Sequence, residues 1–90
     1  MSEGIRLKKG AVEWREVEGE VVALDLERSE YFSINQSGAQ LWAPLVEGTT
    51  ATSLMQILME RFDIDQEQAA RDVDAFLAGL RERNLLEPDA

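Results

Sequence analysis

The first regular pattern along the chain is an alternation. Val12 and Trp14 alternate with charged residues over Val12–Val17, a two-residue period that predicts a half-buried strand. Glu18-Gly19 supplies a turn where positive φ is cheap. Glu20 to Leu26 then returns as a second strand, with Val22, Leu24 and Leu26 on one face. A polar turn leads into a third strand, Glu30, Tyr31, Phe32, Ser33 and Ile34. Phe32 and Ile34 share a face there and are the better candidates for the core, with Tyr31 and Ser33 on the other side.

At Asn35, a residue suited to capping, the period becomes helical. Ala39, Leu41, Trp42 and Leu45 crowd one side of a first helix expected from Gln36 to Ala43, stopped near Pro44. Thr50 or Thr52 can cap a second helix whose stripe is Leu54, Ile57, Leu58 and Phe62, with Met55 and Met59 filling gaps beside it. Asp65 caps a third helix, with Gln68 three positions on in an aspartate version of the capping box. Ala69, Ala70, Val73, Phe76, Leu77 and Leu80 give that helix a wide apolar stripe. Arg81 and Arg83 suit its last turn, and Asn84 tolerates the left-handed geometry that ends helices. Leu85-Leu86 can then fold back onto the core, where Trp14 and Trp42 are also expected. The fold class is therefore α+β, a three-stranded antiparallel sheet followed by three helices, similar to a winged helix-turn-helix.

Length narrows the picture. Ninety residues make one small domain, read here as residues 11–90 behind a flexible lead-in over residues 1–10. Such a chain buries only roughly 60–65% of its unfolded surface, which leaves no room for a deep enclosed cavity. A binding module fits better than a pocketed enzyme.

Composition removes most chemistry. There is no cysteine and no histidine, so thiolate metal sites and the commonest general base are absent. The carboxylate pairs Asp63/Asp65 and Asp72/Asp74 lie near turns or on different helix faces. No Gly-rich phosphate loop, serine elbow or zinc spacing occurs. No catalytic residue, metal or cofactor is therefore expected. No apolar run reaches the roughly 20 residues of a membrane span, and no signal peptide is visible, which points to the cytoplasm.

The net charge of −9, from eighteen acidic and nine basic residues, repels phosphate backbones. The winged shape raises the alternative of a transcription regulator. Its third helix would set Arg71, Arg81 and Arg83 against Glu67, Asp72, Asp74 and Glu82, so nucleic acid is not the expected partner. A cationic or neutral peptide is.

Two places can take a peptide. The third strand, Glu30 to Ile34, is an edge of a three-stranded meander, holds no proline and has one charge, so little blunts it. Tyr31 adds an aromatic wall with a polar tip. On the third helix, Val73, Phe76 and Leu80 can serve the core while Ala70, Asp74, Leu77 and Arg81 border a groove. The bland readings are an ordinary strand and an ordinary core helix.

The run Tyr31-Phe32-Ser33-Ile34-Asn35, with Gly38, Leu41-Trp42, Gly48-Thr49-Thr50 and the closing Asp72-Val73, Phe76-Leu77, Leu80 and Leu85-Leu86, resembles the PqqD family. Gly19 to Leu26 strengthens the likeness, which spans about Val12 to Leu86. These proteins, named for coenzyme PQQ synthesis protein D, are also called RiPP recognition elements. The details are most similar to freestanding leader-binding proteins of split lasso-peptide clusters. The resemblance implies a non-catalytic adaptor that takes the leader of a precursor peptide as an extra strand on the third strand, against the third helix. It maps the site onto Glu30, Tyr31, Phe32, Ser33 and Ile34, while periodicity supplies Ala70, Val73, Asp74, Leu77 and Arg81. It implies a cysteine protease (the leader peptidase) and an ATP-dependent cyclase as partners. The alternative within the family is service to a radical enzyme of another peptide class.

Overall fold

The computed structural model describes residues 4–87. Its elements run β1 (Val12–Val17), β2 (Glu20–Asp25), β3 (Glu30–Ile34), α1 (Gln36–Glu47), α2 (Ala51–Arg61) and α3 (Gln66–Glu82). The sheet is antiparallel with β2 in the centre and order β1-β2-β3. The α+β order of strands and then helices is the one the sequence pattern predicts.

The β1–β2 turn fixes which backbone groups face outward. Glu18 and Gly19 have φ of 54° and 83°, the two left-handed residues of a type I′ hairpin. In such a hairpin the flanking residues, Val17 and Glu20, exchange hydrogen bonds, and bonded pairs then alternate along the ladder. The bond from Leu26 N–H to Ala11 C=O, 3.1 Å, falls in the same phase. Glu20, Val22 and Leu24 therefore bond to β1, and Val21, Ala23 and Asp25 bond to β3. Their partners on β3 are Ile34, Phe32 and Glu30. What remains pointing away from the sheet is Tyr31 and Ser33 on β3, and Val12, Trp14 and Glu16 on β1.

The helices cover the face of β2 that carries Val21, Ala23 and Asp25, all buried. This is the opposite face from Val22 and Leu24, which are only half-buried. The sequence misleads here because three large aliphatics lie outside, while a small alanine and an acid lie inside, where the helices come close. Trp14 is on the helix side but 42% exposed, so it is not the core residue expected. It sits at the sheet margin, edge-on to Trp42 at 6.0 Å. Trp42 itself is buried at 1% exposure, among Leu41, Leu45, Leu54, Leu58, Val73, Leu77 and Leu80.

α1 does not stop at Pro44. It continues to Glu47 with the proline inside it. An interior proline costs about 3 kcal/mol. Against that, Leu45 is fully buried, worth roughly 1.5–3 kcal/mol, and its carbonyl accepts from Leu7 N–H at 3.0 Å. Packing thus offsets propensity. The other helix ends follow the sequence: Asn35, Thr50 and Asp65 cap by accepting from Gly38, Ser53 and Gln68 N–H. Only half of the expected capping box forms, because the Gln68 side chain donates to Asp72 at 2.8 Å instead of reaching back. Asn84 has φ of 61° and turns the chain so that Leu85 and Leu86 enter the core.

The lead-in, over its described residues, lies across the helix ends. Ile5 bridges to Thr49 and Leu7 to Leu86, and Leu7 is 5% exposed. Residues 1–3 of that lead-in lie outside the described residues.

Candidate functional site

β3 is the open margin of the sheet. Its outer side leaves the N–H and C=O of Tyr31 and Ser33 without a strand partner among the described residues. Side chains alternate: Tyr31, 74% exposed, and Ser33 point away from the helices, while Glu30, Phe32 and Ile34 point toward them.

On the helix side β3 meets α3 near its two ends. Arg83, at the carboxyl end of α3, reaches Glu30 at 3.3 Å and lies over the Phe32 ring. At the other end Phe76 approaches the start of α1. A Cβ on Gly38 would lie 2.5 Å from Ile34 Cγ2 and 3.2 Å from Phe76 Cε1, so only glycine lets these three elements meet. Beyond that contact lies a cleft of about 370 Å³ lined by Asn35, Ser37, Gly38, Leu41, Leu58, Asp72, Ala75 and Phe76. Leu41, Leu58 and Phe76 give it an apolar floor; Asn35, Ser37 and Asp72 give it a polar rim.

The flank of α3 that borders β3 and the cleft therefore carries Asp72, Phe76 and Arg83. Residues two apart on a helix lie about 160° apart around its axis. Ala70 and Asp74, which bracket Asp72, are thus on the opposite flank, as is Arg81, two before Arg83. Val73 and Leu77 are buried between the two flanks at 1% and 2% exposure. Of the sequence-derived residues, Glu30, Phe32 and Ile34 lie on the side of β3 that meets this flank. Tyr31 and Ser33 carry the free backbone of the edge, and Val73 and Leu77 are buried behind the flank.

The Asp25 network escapes the sequence pattern altogether. Asp25 is fully buried at the end of β2. It accepts from the Glu27 and Arg28 N–H groups at 3.1 and 3.2 Å, and from the Arg28 guanidinium at 3.2 Å. Burial pushes its carboxyl up, but the Arg28 N–H, the Arg28 guanidinium and the Glu27 N–H outweigh this and hold it below the ordinary range. Arg28 also donates to the Arg83 carbonyl at 2.6 Å. The β2–β3 turn is thereby tied to the end of α3, beside Glu30. An Asp three residues before an Arg in a turn was the only available signal.

Two of the three arginines on α3 and at its end are engaged. Arg71 pairs with Glu67, and Arg83 with Glu30 and Asp25. Among the described residues that leaves Arg81 against an acidic helix, a poor surface for phosphates. Among the described residues no three of His, Cys, Asp and Glu gather as a metal would need. No helix among them is long and apolar enough to cross a membrane.

Residues 20–86 match the family described as Coenzyme PQQ synthesis protein D (PqqD). The chain belongs to the PqqD family. PqqD-like proteins of this kind are non-catalytic adaptors. Two solved structures share the fold of this PqqD-like chain. One, described as TbiB1 in complex with the TbiA(beta) leader peptide, is 28% identical with a TM-score of 0.84, covering 94% of this chain and 98% of its own. The other, described as lasso peptide synthetase B1 complexed with the leader peptide, is 24% identical with a TM-score of 0.79, covering 93% and 98%. No curated protein matches the chain.

Proposed function

We propose that this chain binds the leader segment of a ribosomally made precursor peptide as an added strand on β3, and presents it to processing enzymes in the cytoplasm. The observation that carries the reading is the unpaired edge at Tyr31 and Ser33 beside the cleft between α1 and α3. Membership of the PqqD family supports it, as does the likeness to TbiB1, a protein described with a leader peptide.

Tyr31 and Ser33 offer four backbone groups. Four ladder bonds at roughly 0.5–1.5 kcal/mol each are about cancelled by ordering the peptide residues that make them, at about 1–2 kcal/mol apiece. Backbone pairing sets register, and side chains supply the net affinity. Two apolar leader side chains buried beside Phe32 and in the Leu41–Leu58–Phe76 cleft, each worth on the order of 1.5–3 kcal/mol, bring binding at best to about tens of micromolar. The proposed contacts are Glu30 to Ile34 together with Asp72, Phe76 and Arg83, supported from beneath by Val73 and Leu77. Ala70, Asp74 and Arg81 lie outside them.

The pathway we favour is lasso-peptide synthesis, with the leader peptidase (a cysteine protease) and the ATP-dependent cyclase as partners. A labelled leader from the same gene cluster should raise its fluorescence anisotropy on mixing with the protein. No binding at tens of micromolar rejects the function. A radical SAM enzyme encoded alongside, in place of a transglutaminase-like protease and an asparagine-synthetase-like cyclase, would move the chain to another peptide class.

A further inference from the structure

We propose that β1 is a second pairing edge, and that its occupant is β1 of another copy of this chain, joined antiparallel about a two-fold axis at Trp14. The inference rests on β1 alone and is independent of what binds β3.

The backbone is available. Val12, Trp14 and Glu16 turn their N–H and C=O groups away from β2, and β1 has no other strand neighbour among the described residues. The lead-in does not cover this edge over its described part, since Ile5 and Leu7 bridge to Thr49 and Leu86. Neither proline nor a bulge interrupts the strand.

Charges normally blunt an edge, but those of β1 complement themselves. Pairing two copies antiparallel about Trp14 sets residue 12 opposite 16, 14 opposite 14 and 13 opposite 15. Outward backbone groups then meet outward backbone groups. Each Glu13 faces the partner's Arg15 in a non-bonded pair, where side chains approach most closely. Moving the axis to residue 13 would set Glu13 against Glu13; moving it to residue 15 would set Arg15 against Arg15. Charge therefore selects one register. Among the described residues neither Glu13 nor Arg15 forms an ion pair within its own chain, and both are exposed.

Apolar surface lies at the same margin. Trp14 is 42% exposed where it rests edge-on to Trp42. About the axis at Trp14 the two indoles meet on the helix side of a continuous six-stranded sheet. This is an isologous contact, closed by its own symmetry. Both β3 edges stay free at its ends.

An interface made of one strand edge and one aromatic pair is small, so the dimer belongs with weak contacts and should populate between about 10 μM and 1 mM. Sedimentation velocity across that range is the test, with three variants on the exposed outer face. Wild type should show a concentration-dependent dimer. Glu13→Arg, which puts Arg opposite Arg, and Arg15→Glu, which puts Glu opposite Glu, should each stay monomeric. Glu13→Arg also lowers the net negative charge, so its failure to associate cannot come from overall repulsion. The double variant Glu13→Arg/Arg15→Glu keeps the wild-type net charge of −9 and should regain the dimer. A wild type that is monomeric at about 1 mM overturns the proposal, as do single variants that associate like wild type or a double variant that does not recover. Circular dichroism melts close to wild type confirm that each variant is folded.

Discussion

The guanidinium carbon of Arg83 lies 4.3 Å from the centre of the Phe32 ring. One residue ends α3 and the other is the middle of β3, so this contact joins the helix to the edge strand. The Arg83 side chain is one-third exposed and its ion-pair partner Glu30 more so. The stacked ring and the shared Asp25 therefore matter more than the surface pair.

Arg83→Ala should lower stability by about 1–2 kcal/mol, from the lost cation–π contact and packing. For a domain of this size that is a fall in Tm of roughly 4–8 °C per kcal/mol. Leader affinity, read by anisotropy, should fall several-fold, with Arg83→Lys retaining part of both. An unchanged affinity would remove Arg83 from the site.

The outward phase of β3 separates two neighbouring prolines. At Ser33 the N–H faces the open edge, so Ser33→Pro removes a donor that the sheet does not use. It should weaken leader binding at least about tenfold, the equivalent of roughly 1.4 kcal/mol, with only a small loss in a urea melt. At Phe32 the N–H belongs to the β2–β3 ladder, so Phe32→Pro should unfold the protein. Equal losses of binding and stability at Ser33 would place the peptide elsewhere.

Asp25 gives a pH signature. Its folded pKa lies below the ordinary 3.8, so its stabilising contribution is complete above that value and is lost as pH falls through the folded pKa. Asp25→Asn should therefore be less stable than wild type at neutral pH, and the gap should narrow below about pH 4. Urea melts at a series of pH values check this. A gap that stays constant into acid would mean that the carboxylate charge plays no part.

Gly38 is a test of packing. Alanine there gains about 1 kcal/mol of helix propensity. Its Cβ, however, would strike the Cγ2 of Ile34, a buried β-branched side chain, and overpacking costs typically about 1–3 kcal/mol. A net loss of stability is expected for Gly38→Ala, together with a cleft distorted at Phe76 and weaker leader binding. A more stable variant that still binds would show that Ile34 yields easily.

The elements were legible in the sequence because turn and cap residues mark nearly every boundary: Gly19, Asn35, Thr50, Asp65 and Asn84. Pro44 misled because local propensity says nothing of Leu45 being fully buried. The inward face of β2 was hidden for a related reason, since Ala23 and Asp25 look like surface residues until the helices are laid over them. For the site, β3 could be read as an edge from strand count alone. The flank of α3 could not, because a wide stripe fixes the centre of the buried face and leaves both borders equivalent. Only Arg83 on Phe32 and Phe76 against Gly38 distinguish them.

The alternation along β3 has a consequence for the precursor. A strand laid against Tyr31 and Ser33 presents its own residues by turns to the cleft and to open water. Recognition then constrains every second position and leaves the intervening ones free to vary. One adaptor can in this way serve leaders whose sequences agree at only a few spaced positions.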